Sequence, residues 1–213
     1  MPNEDLAETK AVKNAMTDLL LATANPDKLI ELRSLLAEHA PWIRALDPPM
    51  LGIQLEVAED GDTYAENAAR KALAYYHAAR LPVLADDSGL EVEALDSAPG
   101  LHSARYDPAP NATSASRRAR LIAALQPYPR PWRAAFHCTL ALADRQGSLH
   151  FVEGRCLGEI IPEERGSGGF GYDPIFLLPD LGLTMAELTL AQKNRRSHRA
   201  LAVIAAIPLL KSL

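Results

Sequence analysis

The feature that most constrains this chain is the junction between "DLLLAT" (residues 18–23) and "PDKLIELRSLLAEH" (26–39). A short apolar run suits a buried strand, and the pattern after it carries Leu29, Leu32, Leu35 and Leu36 on one helical face. Asn25 suits the N-cap and Pro26 the first helical position. Strand, tight turn and helix in that order lay an apolar helix face over a sheet.

The same alternation continues along the chain. "TYAENAARKALAYYHAAR" begins with Thr63 and Glu66 at the spacing of a capping box. "PVLADDSGLEVEAL" reads as a strand, an acidic turn at Asp86, Asp87 and Ser88, and an alternating segment with Leu90, Val92 and Ala94 inward. "SRRARLIAALQ" reads as a helix, and "RAAFHCTLALAD" with "LHFVEGRCLGEI", joined by "RQGS", as an antiparallel hairpin. A last helix is expected from about Ser197 to the end. Strands and helices mixed in this way predict an α/β or α+β fold on a mixed sheet.

At 213 residues the chain is expected to form one domain over 18–213, with two lobes, behind a polar extension over 1–17. That extension has no apolar core of the signal-peptide kind, and no apolar run approaches the roughly 20 residues of a membrane helix. With only Cys138 and Cys156 there is no disulfide scaffold or zinc ligand set, and packed, reduced thiols in a cytoplasmic protein are expected. The formal net charge of −5 opposes a generic nucleic-acid coat. An acidic chain that binds a polyanion needs a local basic site, a metal, or both.

Five groups of residues could carry chemistry. In "TANPDK" a strand feeds a helix start, whose free backbone N–H groups suit phosphate, with Thr23 and Asn25 as further donors and Lys28 as a charge; taken alone, these residues read first as an ordinary helix cap with a surface lysine. Glu59, Asp86 and Asp87, with Ser88 beside them and no His or Cys near, are hard oxygen donors suited to Mg²⁺ or Mn²⁺. "DDSG" is also good turn composition. Lys71 shares a helix face with Asn67. In "KNRRSHR" (193–199), Ser197 can cap the final helix, placing His198 and Arg199 in a first turn where cations oppose the helix dipole. "GGFGYDPIF" (169–177) sets the rings of Phe170 and Tyr172 among glycines, beside Asp173. Rings there could stack on a base, and the glycines let backbone approach it closely. Together these are the parts of a nucleoside triphosphate site.

The chain resembles the inosine triphosphate pyrophosphatase family, enzymes that clear deaminated purine triphosphates. The likeness runs from about residue 19 to 210 and rests on "LLATANPDK", "GDTYAENAARKA", "LADDSGLEVEAL", "PGLHSARY", "FHCTLAL", "GGFGYDPIF" and "AELTLAQKNRRSHRALA", in that order. It implies an elongated, twisted mixed sheet with flanking helices, two lobes around a central cleft, and a homodimer. It further implies that Thr23, Asn25 and Lys28 hold the triphosphate, that Glu59 and Asp87, with Asp86 beside them, form the metal site, and that Asp87 is the general base. Ser88, Lys71 and Lys193 are implied on the substrate, and Phe170, Gly171, Tyr172, Asp173, His198 and Arg199 in the base pocket. Two departures stand out: Asp27 puts a negative charge in the phosphate loop, and Arg117 stands where many relatives have Asn.

The expected reaction is hydrolysis of ITP, dITP or XTP to the monophosphate and pyrophosphate with Mg²⁺. Arg199, which only donates, would accept a 6-oxo purine and leave a 6-amino group unsatisfied. Three alternatives stay open on the residues alone. They are a pyrophosphatase of modified pyrimidine triphosphates, a nucleotide-binding protein without catalysis, and an RNA-binding protein, the last opposed by the net charge.

Overall fold

The structure, a computed structural model, describes residues 16–213. Residues 1–15 of the expected polar extension lie outside the described residues. The frame is an eight-stranded mixed sheet. Strand β1 (Thr17–Leu21) runs into helix α1 (Pro26–His39) through Asn25, whose side chain accepts from the backbone N–H groups of Asp27 and Lys28. On α1 the leucines Leu32, Leu35 and Leu36 are almost fully buried. Each contributes about 1.5–3 kcal/mol, against about 1 kcal/mol for an N-cap, so packing holds this helix and the cap fixes where it starts.

Strand β2 (Ile43–Leu46) lies parallel to β1, and β1 lies parallel to β3 (Val83–Val92) on its other side. Helix α2 (Tyr64–Ala79) connects them, capped by Thr63, which accepts from the Glu66 N–H. Two-residue β4 (Pro99–Gly100) pairs with the end of β3, and helix α3 (Ser114–Leu125) follows. In the long hairpin of β5 (Trp132–Ala143) and β6 (Leu149–Ile160), β5 pairs antiparallel with β3 and β6 with β5, and the sheet continues through β7 (Phe176–Leu178) and β8 (Leu183–Thr184). The short helix α4 (Leu190–Lys193) leads to α5 (His198–Lys211), capped by Ser197 as its position predicts. None of the described helices is long and apolar enough to cross a membrane.

One expectation fails. Asp86, Asp87 and Ser88 do not form a turn: β3 is continuous from Val83 to Val92, pairing with β5 along its whole length. Turn composition is overridden because both acids have cationic partners, which permits their burial inside a strand. The two-residue period of the strand then sends them to opposite faces of the sheet.

Those faces have different cores. Leu19, Leu21, Leu84, Leu140 and Leu142 pack against α1 and α5. On the other face Ala85, Ala141 and Ala143 meet Ala68, Ala72 and Tyr75 of α2. A third cluster, with Leu90, Val92, Trp132 and Phe136 against Leu121 and Leu125 of α3, forms the far lobe. Helix α5 crosses β6 at Gly154, where a Cβ would collide with the His198 carbonyl and the Ala202 nitrogen. That close crossing sets the first turn of α5 at the head of the cleft between the lobes. Cys138 and Cys156 are free and buried, and burial pushes their thiols up to about 12 and about 11.

Candidate active site

A cavity of about 280 Å³ opens between the lobes, lined by Asn25 and Lys28 from the start of α1 and by Phe170 and Tyr172 from the glycine-rich loop. Glu59 and Asp87 also face it. Asp87 leaves β3 toward α2, where the Asn67 side-chain N–H donates to Oδ2 at 3.1 Å and Lys71 Nζ stands 3.5 Å from Oδ1. Lys71 also donates to Glu59 at 2.6 Å, so one ammonium ties both carboxylates. Burial raises the Asp87 carboxyl above the usual carboxylate range, against the pull of Lys71 and Lys28. Burial works against the charge of Lys71 too, but Asp86, Asp87 and Glu59 outweigh it and raise its pKa.

Asp86 points the other way and anchors an ionic chain. Lys28 reaches it at 3.0 Å and Arg199 at 3.2 Å; Arg199 also pairs with Glu31, and Glu31 with Lys193 at 2.6 Å. Lys193 in turn donates to Asp173 at 2.5 Å. Three cations thus meet three carboxylates in the interior. Burial alone would raise the Asp86 carboxyl, but Lys28 and Arg199 hold it well below the usual range.

The glycine-rich stretch makes a compact loop. Gly169 and Gly171 have φ of 66° and 62°, the left-handed region that glycine enters without penalty. The Phe170 N–H donates to Asp173 at 2.8 Å, and a Cβ on Gly169 would overlap that same carboxylate. The Phe170 ring lies 5.0 Å from Lys193 Nζ and 5.8 Å from the Arg199 guanidinium carbon. Tyr172, by contrast, is a core post: it is buried, and its hydroxyl donates to the Ser103 carbonyl at 2.9 Å. A second ring surface comes from Phe136, stacked on His198 at 4.8 Å between centroids. Burial and the nearby charges of Arg199 and Lys193 push His198 well below its ordinary pKa, so its ring is neutral. With His198 uncharged and Arg199 paired, the first turn of α5 no longer opposes its own dipole.

Most of the residues singled out in the sequence come together here, but not all in one wall. Asn25, Lys28, Glu59, Asp87 and Ser88 line the cavity, as do the loop Phe170–Asp173 and the trio Lys193, His198 and Arg199. Asp86 and Lys71 stand behind the lining. Thr23 faces a neighbouring cavity instead, and its hydroxyl accepts from the Asn25 N–H at 3.2 Å. Asp173 and Arg199 are already engaged with protein partners rather than open to a base edge.

Sequence reasoning missed Glu31, Phe136 and the bracing role of Asn67. Glu31 is buried next to the leucine face of α1, an acid too close to an apolar stripe to be solvated. Phe136 looked like one more core residue of a hairpin strand.

Among the described residues no three His, Cys, Asp or Glu side chains converge as a metal cage. Glu59 and Asp87, two hard carboxylates facing the cavity, fit an ion that takes its other ligands from water and phosphate, the habit of Mg²⁺. Asp86, committed to Lys28 and Arg199 on the opposite face, is not brought together with them. Cations, hard carboxylates and rings in one cleft suit a polyphosphate carrying a flat base.

Comparisons with known proteins agree with that chemistry. The Ham1 family model matches residues 19–208. The dITP/XTP pyrophosphatase of Porphyromonas gingivalis is 47% identical over 188 residues, covering 88% of this chain and 94% of the relative. That of Desulforamulus reducens is 43% identical over 196 residues, covering 92% and 96%. Among solved structures, the Ham1 protein of Coxiella burnetii superposes with a TM-score of 0.81 at 38% identity, covering 93% of this chain and all of that one. The Staphylococcus aureus Ham1 protein gives 0.80 at 33% identity, covering 92% and 99%.

Proposed function

The chain belongs to the Ham1 family, and we propose that it acts as a dITP/XTP pyrophosphatase. It hydrolyses noncanonical purine triphosphates (ITP, dITP and XTP) to the monophosphate and pyrophosphate, removing them from the nucleotide pool. The observation that carries the mechanism is the setting of Asp87. Its carboxyl is raised by burial, braced by Asn67, and open to the cavity that holds the phosphate-binding end. A carboxylate held above its ordinary basicity is suited to accept the proton of the water that attacks the α-phosphorus. Glu59 and Asp87 would hold Mg²⁺, with Mn²⁺ as a substitute, and that ion when bound neutralises phosphate charge and makes its water more acidic. Asn25 offers the start of α1 to the phosphates, while Lys28, Lys71 and Lys193 balance the charge of the departing pyrophosphate.

The base enters between Phe170 and the Phe136–His198 stack. Arg199, freed from part of its ionic shell by the substrate, donates to the 6-oxo group. The enzyme works as a cytoplasmic homodimer. Pyrophosphate release from ITP, XTP, GTP and ATP, with Mg²⁺ and with EDTA, tests the reading. Metal-dependent turnover of ITP and XTP far above GTP and ATP is expected. Turnover of modified pyrimidine triphosphates alone, or of nothing, would overturn it.

A further inference from the structure

Four cations line the cleft: Lys28, Arg117, Lys193 and Arg199. Three of them are neutralised by carboxylates. Arg117 has no carboxylate within 4.0 Å among the described residues. Its guanidinium donates only to the Ser114 hydroxyl at 3.1 Å and, at 3.5 Å, to the Ala112 carbonyl. It also sits in the first turn of α3, where the helix dipole disfavours a positive charge. Asp107 stands near enough to feel its charge but makes no ion pair with it, so this half-buried cation has no carboxylate in contact.

The position of Arg117 says which part of the substrate that is. Its neighbour Arg118 donates to the Gly171 carbonyl at 2.8 Å, fastening the start of α3 to the aromatic loop. Arg117 also lies near enough to Tyr172 to affect the phenol's ionisation. It therefore lines the cavity beside the aromatic loop, whereas the proposed reading gives the phosphates to Asn25, Lys28, Glu59 and Asp87. At the ring end Arg199 is already bound by Glu31, Asp86 and Ser88. Arg117, with only two weak hydrogen bonds to its own helix start, has donors left to offer a ligand in the cavity it lines.

We propose that Arg117 is a specificity-determining residue that reads position 2 of the purine. The proposal rests on the reading of the cleft as a site for noncanonical purine triphosphates. Position 2 is where these bases differ: xanthine carries an oxo acceptor, hypoxanthine a C–H, guanine an amino donor. The xanthine ring of a nucleotide is also acidic enough to be largely anionic at neutral pH. A guanidinium that only donates favours the xanthine edge, tolerates hypoxanthine, and is left facing another donor by guanine. Arg117 thus supplies the rejection of GTP that a contact to the 6-oxo group, common to all three bases, does not.

The test is kcat/KM for XTP, ITP and GTP with the full-length protein and its Arg117→Gln and Arg117→Lys variants, each checked for an unchanged unfolding midpoint. In Arg117→Gln the preference for XTP over ITP falls by about tenfold or more, the size of one charge-assisted hydrogen bond, and discrimination against GTP weakens. Arg117→Lys keeps part of the XTP preference, retaining charge without the planar fork. The XTP-to-ITP ratio of the unmodified protein rises with pH as the xanthine ring ionises, and it rises less steeply in Arg117→Gln, where Lys193 and Arg199 are the cations left beside the ring. An equal loss on all three substrates, or none, would overturn the proposal. If the unmodified protein turns over no triphosphate, the pyrophosphatase reading has failed instead. Binding of the xanthine and hypoxanthine monophosphates, measured by calorimetry, then still decides the role of Arg117.

Discussion

Asn67 holds Asp87 at 3.1 Å with its side-chain nitrogen while its side-chain oxygen accepts from the backbone N–H of Gly61 at 2.8 Å. One amide thus joins the central strand to the loop that carries Glu59, the other carboxylate of the proposed metal pair. Gly61 must be glycine for this, because a Cβ there would stand 2.8 Å from the Asn67 oxygen.

Asn67→Asp should move the acid limb of the kcat–pH profile to higher pH. The Asn67 hydrogen bond pulls the Asp87 carboxyl down against its burial, and a carboxylate in its place pushes it further up. Because Asp87 must be ionised to accept a proton, activity is lost as pH falls through its pKa, and that loss now begins sooner. A kcat profile with an unmoved acid limb would show that Asn67 does not tune the base.

Asp87→Asn should abolish pyrophosphate release yet leave ITP binding measurable by calorimetry. The same variant should not lower the unfolding midpoint at neutral pH. A carboxyl whose folded pKa is raised stabilises the fold at acidic pH and loses that contribution as pH rises through the folded value. Its charge is therefore a neutral-pH burden that asparagine lifts. Lost binding or a clear drop in midpoint would make Asp87 structural.

Asp86→Asn should behave in the opposite way. Removing one partner from the buried chain leaves Lys28 and Arg199 short of charge, at a cost of about 3–5 kcal/mol readable in urea unfolding. The depressed folded pKa of Asp86 means its contribution is complete above the unfolded value of about 4 and drains away as pH falls below it. The variant should accordingly lose much of the acid sensitivity of the parent's stability between about pH 4 and pH 2.

Gly154→Ala should damage substrate binding from a position that touches no substrate. The added methyl collides with backbone of α5, and the helix must lift from β6, carrying His198 and Arg199 with it. The expected outcome is a raised KM for ITP together with a lower unfolding midpoint. A normal KM at a lowered midpoint would separate the packing of α5 from the geometry of the pocket.

Much of the architecture was legible because local signals agreed with packing. Asn25, Thr63 and Ser197 cap the helices their positions predict, and the leucine stripe of α1 is buried as its spacing requires. The acidic segment at 86–88 was misread for a long-range reason. Its cations, Lys28, Lys71 and Arg199, come from three helices, and a local window sees the acids without them. Tyr172 shows the same limit from the other side. Beside glycines it resembled a stacking surface, but its hydroxyl found a carbonyl on a distant segment and its ring joined the core. Glu31 left its only trace in the crowding of an acid against leucines, and its partners, Lys193 and Arg199, lie more than 160 positions away.

The ionic chain from Lys28 through Asp86, Arg199, Glu31 and Lys193 to Asp173 has a kinetic consequence. With its charges matched internally, this chain of three cations and three carboxylates projects little field into solution, and Arg117 is left as the unmatched cation of the cleft. A triphosphate gains the lysine and arginine only by competing with carboxylates already in place, so admission is an exchange of partners. Capture is then slow for any nucleotide that cannot complete the exchange, and an enzyme surrounded by an excess of ordinary nucleotides stays electrically quiet.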